Sequence, residues 1–332
     1  MSKRPSAAQI VQLLFGLFVV VFISIYLLKI DWAKLESIQL SWLPFLAATA
    51  IALAYRYWGA FIWLFLLESL GAKAIRKNFV ELSQIYAKAW LGRYLLGAGT
   101  WILGKIYFAS RFGIGRGKLA VSGVLEGALQ LIATLIVGLG LLAFDPRLGA
   151  IGAPLRLISL IALAVCLVAL VPAVFRFGIR LLYRLLRRKS IAPEDLPDWK
   201  SIVYGGLLYV GGTLITGVSY FFAAQAVYAP LKWSDLLYVV GASSIASAVS
   251  LLAVFAPGGI GVREGVQVVF FSALMPVDVA VIVSVLMRLW SLLVDVLFFT
   301  VASAIRRRQI GVQQRAHAAR ELVTGLGAEI ND

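Results

Sequence analysis

The sequence predicts an all-α polytopic membrane protein, with about six transmembrane helices and two re-entrant helical hairpins of opposite orientation in an inverted-repeat architecture. Three observations predict it. Of 332 residues, 61% are hydrophobic and only 14% charged, whereas soluble domains are about 45–50% apolar and about 25% charged. The apolar residues fall into runs of about 20, the length that crosses a hydrocarbon core. The basic residues, 31 Lys and Arg against 16 Asp and Glu for a net charge of +15, sit in clusters between those runs. This composition excludes a soluble enzyme. The clustering makes the charge a marker of cytoplasmic loops on anionic lipid, so nucleic acid is not an expected partner.

The first apolar run, residues 10–28, follows Lys3 and Arg4. Its apolar core is too long for a signal-peptide h-region, and Lys29-Ile30-Asp31-Trp32 follows without a small-residue cleavage pattern, so it reads as a retained helix. Further crossings are expected at 42–67, 119–144, 155–175, 201–228 and 279–305. Two more intervals, 79–110 and 236–275, are apolar but interrupted by glycine or proline. Tryptophans such as Trp32, Trp42, Trp199 and Trp233 fall at expected interfaces, as an aromatic belt requires.

Basic clusters occur at Lys3/Arg4, Lys73/Arg76/Lys77, Arg111/Arg116/Lys118, within 176–189, and at Arg306/Arg307/Arg308. The positive-inside rule makes all five cytoplasmic. The first broken interval lies between two of them and must enter and return from the cytoplasm. The second lies between a crossing that leaves the cytoplasm and one that returns, so it must enter from outside. Both termini are then cytoplasmic, in the cytoplasmic (inner) membrane. Residues 1–308 read as one membrane-embedded domain, and 309–332 as a polar tail, lying on the cytoplasmic surface or disordered.

The units 42–144 and 201–304 have the same order of elements and nearly equal length. Shifting the first by 159 puts Gly99 on Gly258, each at the middle of its hairpin. Inverted repeats with interrupted segments at corresponding positions point to a transport site between the repeats. Non-helical backbone at membrane depth is tolerated only where protein or a polar cavity receives it, so the hairpin tips should line that site.

The candidate residues cluster there. In the second hairpin, Pro257-Gly258-Gly259-Ile260-Gly261-Val262-Arg263-Glu264 ends one helix and starts another. The new N-terminus offers free N–H groups to a phosphate or carboxylate. Arg263 could add a bidentate contact, and Glu264 could balance Arg263 or cap the helix. In the first hairpin, Arg93 and Lys105 flank Gly97-Ala98-Gly99. Charges in apolar segments are costly, by about 2.5–3.5 kcal/mol each on insertion scales, so they mark either function or internal pairing. Arg56, Lys88, Glu126, Arg288 and Asp295 form such an intramembrane network. Arg288 and Asp295, seven residues apart, share a helix face, and each should meet a charge on a neighbouring helix; Glu126 with Arg288 is one expected pairing.

No metal or other cofactor is expected. Cys166 is the single cysteine and His317 the single histidine, which leaves no intramolecular disulfide, no His/Cys metal cluster and no histidine base within the apolar runs.

The segment from Pro257 to Glu264 resembles the P-G-G-hydrophobic-G-x-x-E signature of the lysylphosphatidylglycerol synthase transmembrane-region family. The stretch from Arg93 to Lys105 is similar to that family's first motif, with Ala98-Gly99 standing where the family usually has P-G. The resemblance covers about 10–308. It implies the flippase half of bifunctional aminoacyl-phospholipid synthases, or a stand-alone member without the aminoacyl transferase domain.

The expected function is therefore translocation of a phospholipid or lipid-linked (polyprenyl or similar) molecule. Its headgroup phosphate would sit between the two hairpins, and the protein would not be an enzyme. A homo-oligomer is a possible assembly. Two other functions stay open at this point: a small-solute or proton-coupled secondary transporter using Glu126, Glu264 or Asp295, and a membrane-embedded lipid phosphatase using a serine among 243–250.

Overall fold

The computed structural model describes residues 40–73, 75–96, 100–147, 153–187, 196–253, 256 and 259–329. The expected first helix at 10–28, Gly99, Pro257 and Gly258 lie outside the described residues. These residues form ten α-helices and no strand. They are α1 Trp42–Ser69, α2 Phe79–Leu96, α3 Thr100–Ala109, α4 Arg116–Ala143, α5 Ala153–Ala169, α6 Pro172–Arg187, α7 Trp199–Val227, α8 Leu236–Leu252, α9 Val262–Phe271 and α10 Val277–Glu329. The chain is an all-α polytopic membrane protein. Five helical stretches are long and apolar enough to cross a membrane: α1, α4, α7, α8 with the turn before it, and α10 as far as Val312. The bent pair α5/α6 makes a sixth if counted as one span.

Local chemistry accounts for several boundaries. At the end of α1, the Gly71 amide bonds to the Glu68 carbonyl at 2.9 Å and the Ala72 amide to Leu67 at 3.1 Å. With Gly71 at φ 72°, these two bonds form a Schellman cap, which glycine enters without a Cβ clash. α7 begins at Asp198, whose carboxylate accepts from the Ser201 amide at 2.9 Å and also from the Ser201 hydroxyl. The bond from the Ser201 hydroxyl is the largest effect holding the Asp198 carboxyl below the usual aspartate range, against the opposing effect of partial burial. A depressed folded value makes this stability present above the unfolded value of about 3.9 and lost as pH falls through the folded one. Asp198→Ala is expected to destabilise the protein by about 0.5–2 kcal/mol at pH 7. Thermal unfolding in detergent should show the gap from the parent protein narrowing at acid pH.

The structure departs from the sequence expectation in three places. The crossing expected at 155–175 is broken: α5 and α6 meet at an 84° bend. Pro172 has no N–H for a continuing helix and its ring disfavours the carbonyl four residues earlier, so it stands instead at the start of α6. The interval 236–275, expected as a re-entrant hairpin broken at its middle, is divided unequally: α8 with the turn at Trp233–Asp235 is 20 residues long and has the apolarity of a span, whereas α9 has 10 residues. The third departure is the tail. α10 continues to Glu329 as a helix of 53 residues instead of ending near 305, and at 1.5 Å per residue it is about 80 Å long. Residues 306–329 contain no proline, and half of them are Arg, Ala or Gln, which favour helix enough to carry it past Gly311, Gly325 and Gly327.

Two quartets of helices share one plan. α1, α2, α3 and α4 have 28, 18, 10 and 28 residues. α7, α8 and α9 have 29, 17 and 10, followed by the long α10. Exchanging the quartets exchanges the packing. α1 packs on α7, α4 packs on α8 as α10 packs on α2, and each short helix packs on its neighbours in the same way. The 159-residue shift also relates Arg147, which bonds Asp235 just before α8, to Arg306, which donates to Gln84 of α2 at 2.9 Å. Small residues let the helices approach: a Cβ on Gly138 of α4 would come within 2.7 Å of the Ile245 side chain and 3.1 Å of its backbone nitrogen on α8.

Candidate functional site

A cavity of about 580 Å³ lies where the quartets meet, and all eight of their helices contribute to its wall. Four arginines line it: Arg56 from α1, Arg93 from α2, Arg263 from α9 and Arg288 from α10. Thr213 and Thr216 from α7, with Ser243, Ser244 and Ser247 from α8, supply hydroxyls. Trp90 and Trp101 add aromatic surface.

Asp295 of α10, fully buried, organises two of the arginines. Arg56 Nε donates to its Oδ1 at 2.5 Å, and Arg93 Nη2 to its Oδ2 at 2.7 Å. The Tyr94 hydroxyl donates to the same Oδ2 at 2.6 Å. Arg93 also stacks over Trp90, 4.2 Å from the ring centroid. These contacts fix both guanidiniums while leaving them on the cavity wall, since a planar five-donor group keeps hydrogens to spare after one carboxylate contact.

The second glycine-rich segment builds the opposite part. Gly259 and Gly261 adopt φ 68° and 84°, the left-handed region open to glycine. A Cβ at Gly259 would lie 1.6 Å from the Ser250 hydroxyl oxygen, so the backbone approaches α8 in a way no other residue allows. Arg263 is buried, lies over Tyr220 at 4.4 Å, and its Nη2 has no hydrogen-bond partner among the described residues. Glu264 reaches back to accept from the Gly261 amide at 2.6 Å and stands 3.6 Å from Arg288 Nε, an ion pair too long for a hydrogen bond. The positive end of α9, expected to receive an anion, is thus capped by the protein's own carboxylate. The cavity's positive charge comes from the arginines: among the described residues, four guanidiniums against the two paired carboxylates Asp295 and Glu264 leave a surplus of two.

Of the residues expected at the site, Arg93, Gly259 and Arg263 line the cavity, and Gly261 and Glu264 support it. Arg56 and Arg288, expected in the charge network, line it as well. Lys105 does not. It is fully buried, 2.5 Å from Glu126 Oε2, and its ammonium lies 4.0, 4.7 and 4.8 Å from the rings of Tyr86, Trp101 and Trp63. Glu126, expected to meet Arg288, meets Lys105 instead and also accepts from the Tyr86 hydroxyl at 3.1 Å. The reason is proximity: α3 folds back beside α4, whereas Arg288 is held next to α9. Lys88 is outside the network, exposed and 4.1 Å from the Phe108 ring.

Sequence reasoning missed Tyr94 and the threonines of the hydroxyl wall, and considered the serines among 243–250 only as nucleophiles. The wall had a readable signal, because Thr213/Thr216 and Ser243/Ser247 recur at helical spacing inside apolar helices.

The family model described as Lysylphosphatidylglycerol synthase TM region matches residues 9–298. No curated protein matches the chain. With most of its length covered, the chain belongs to the lysylphosphatidylglycerol synthase transmembrane-region family, the flippase-like membrane domain associated broadly with lipid transport.

Proposed function

We propose that the protein translocates a lipid with an anionic headgroup across the cytoplasmic membrane and is a transporter, not an enzyme. The observation that carries this reading is the cavity walled by four arginines at the junction of two like-built quartets, with Arg263 Nη2 buried and without a hydrogen-bond partner among the described residues. An unsatisfied buried guanidinium nitrogen costs more than an ordinary lost hydrogen bond, so it is best explained by an anion that completes it. The two helix–break–helix pairs, α2/α3 and α8/α9, act as re-entrant hairpins of opposite orientation in an inverted repeat. Rocking one quartet against the other would open the cavity to each leaflet in turn. The Arg147–Asp235 and Arg306–Gln84 contacts would then be the closures to be broken alternately.

Hydrolysis is less well supported. Ser244 and Ser247 donate to backbone carbonyls at 2.7 Å, so their protons are not directed to a base.

The test is lipid redistribution in reconstituted vesicles, followed with an acyl-labelled phosphatidylglycerol. Arg263→Ala is expected to slow it by about 10- to 100-fold, equivalent to losing a charge-assisted hydrogen bond of about 1.5–3 kcal/mol. Unchanged redistribution at equal protein abundance would remove Arg263 from the site. Lipid movement no faster than in protein-free vesicles would overturn the function.

A further inference from the structure

The cavity has two chemically different walls. One carries the guanidiniums, which are donors only. The other is built from α4, α7 and α8 and is rich in hydroxyls whose protons are already committed. Thr134 donates to Gln130 at 2.6 Å, Thr213 to Tyr209 at 2.8 Å, Ser244 to Val240 and Ser247 to Ser243 at 2.7 Å each, all to backbone carbonyls. Such back-bonding is ordinary for Ser and Thr in apolar helices. It has a consequence when four such groups face one cavity: each oxygen has donated its hydrogen and presents lone pairs, so the wall accepts. Ser243, 1% exposed and also on the wall, has no partner for its hydroxyl among the described residues. Its cost is relieved by a ligand group that both donates and accepts.

A fully ionised phosphate satisfies the arginine wall but has no hydrogens to offer the acceptor wall. A phosphate with an attached ammonium has them, yet the ammonium would enter a site already carrying two surplus positive charges. Neutral hydroxyls attached to the phosphate satisfy both walls. Resting on the lipid-translocation reading, we infer that the transported lipid has a polyol or sugar esterified to its phosphate, and that Thr213, Ser243, Ser244 and Ser247 select that headgroup over a bare phosphate or a cationic aminoacyl one.

The experiment compares three acyl-labelled lipids in vesicles of neutral phosphatidylcholine: phosphatidylglycerol, phosphatidic acid and lysylphosphatidylglycerol. The expected result is phosphatidylglycerol moving at least about fivefold faster than phosphatidic acid, with the lysyl lipid slowest, because a site built for hydroxyls disfavours analogues lacking them. The double substitution Ser243→Ala with Ser247→Ala should bring the first ratio close to one. Equal rates for the first two lipids in the parent protein, or fastest movement of the lysyl lipid, would overturn the inference while leaving translocation standing. A second measurement separates the converse failure. In detergent, well above a phosphomonoester's second pKa of about 6, sn-glycerol 1-phosphate should raise the unfolding temperature more than methyl phosphate does, whose dianion carries no hydrogen on oxygen, and the double substitution should remove that difference. If no lipid moves but this difference is found, translocation fails and the headgroup assignment stands. Equal shifts from both ligands overturn the assignment.

Discussion

Lys105→Met is expected to destabilise the protein by about 3–5 kcal/mol, the usual effect of removing one member of a buried ion pair. Lys105 and Glu126 have no exposed side-chain surface. The ammonium is enclosed by one carboxylate and the faces of three aromatic rings. With the lysine gone, Glu126 retains, among the described residues, the Tyr86 hydroxyl, which hydrogen-bonds a carboxylate without neutralising it. Adding Glu126→Gln should recover most of the loss, because the amide carries no charge and its oxygen still accepts from Tyr86. Thermal unfolding of the two single variants and the double variant gives the coupling directly. The double variant is also expected to keep moving lipid, since neither residue lines the cavity. A single-variant loss below about 1 kcal/mol would mean that the pair is solvated and weak.

Asp295→Asn should have an effect of similar size by a different route. One carboxylate accepts hydrogen bonds from Arg56, Arg93 and Tyr94, so its neutralisation leaves two guanidiniums uncompensated and raises the cavity surplus from two positive charges to three. A loss of about 3–5 kcal/mol is expected at low salt. Inorganic phosphate should then stabilise the variant more than the parent, because an anion in the cavity takes over the role of the missing carboxylate and binding to the folded state raises stability. Equal stabilisation of the two by phosphate would show that Arg56 and Arg93 do not present donors to the cavity.

Both experiments concern contacts that no local pattern in the sequence contains. The intramembrane charges were legible as a set, because each interrupts an apolar run where insertion is costly. Their partners were not. Asp295 meets Arg93 across 202 residues of chain and Arg56 across 239. The pairing of Glu126 with Lys105 over Arg288 depends on α3 returning alongside α4. The role of Glu264 was half legible: the three-residue spacing from Gly261 allows a helix cap, but only the folded turn decides that the cap is made and that Arg288, not Arg263, stands beside it. The bend before α6 was written in Pro172, yet the surrounding run 155–175 is apolar enough that hydropathy alone read it as one span.

The sequence by itself determined the class of the molecule, the break at its second glycine-rich segment, and the recurrence of one order of elements in two units. These follow from hydropathy, helical spacing and backbone breakers, which act over a few turns of chain. The tertiary structure decided which charges neutralise one another, which arginines remain on a cavity wall, and that a wall of hydroxyl acceptors faces them. Those outcomes depend on which helices become neighbours, and packing chooses neighbours without regard to distance along the chain.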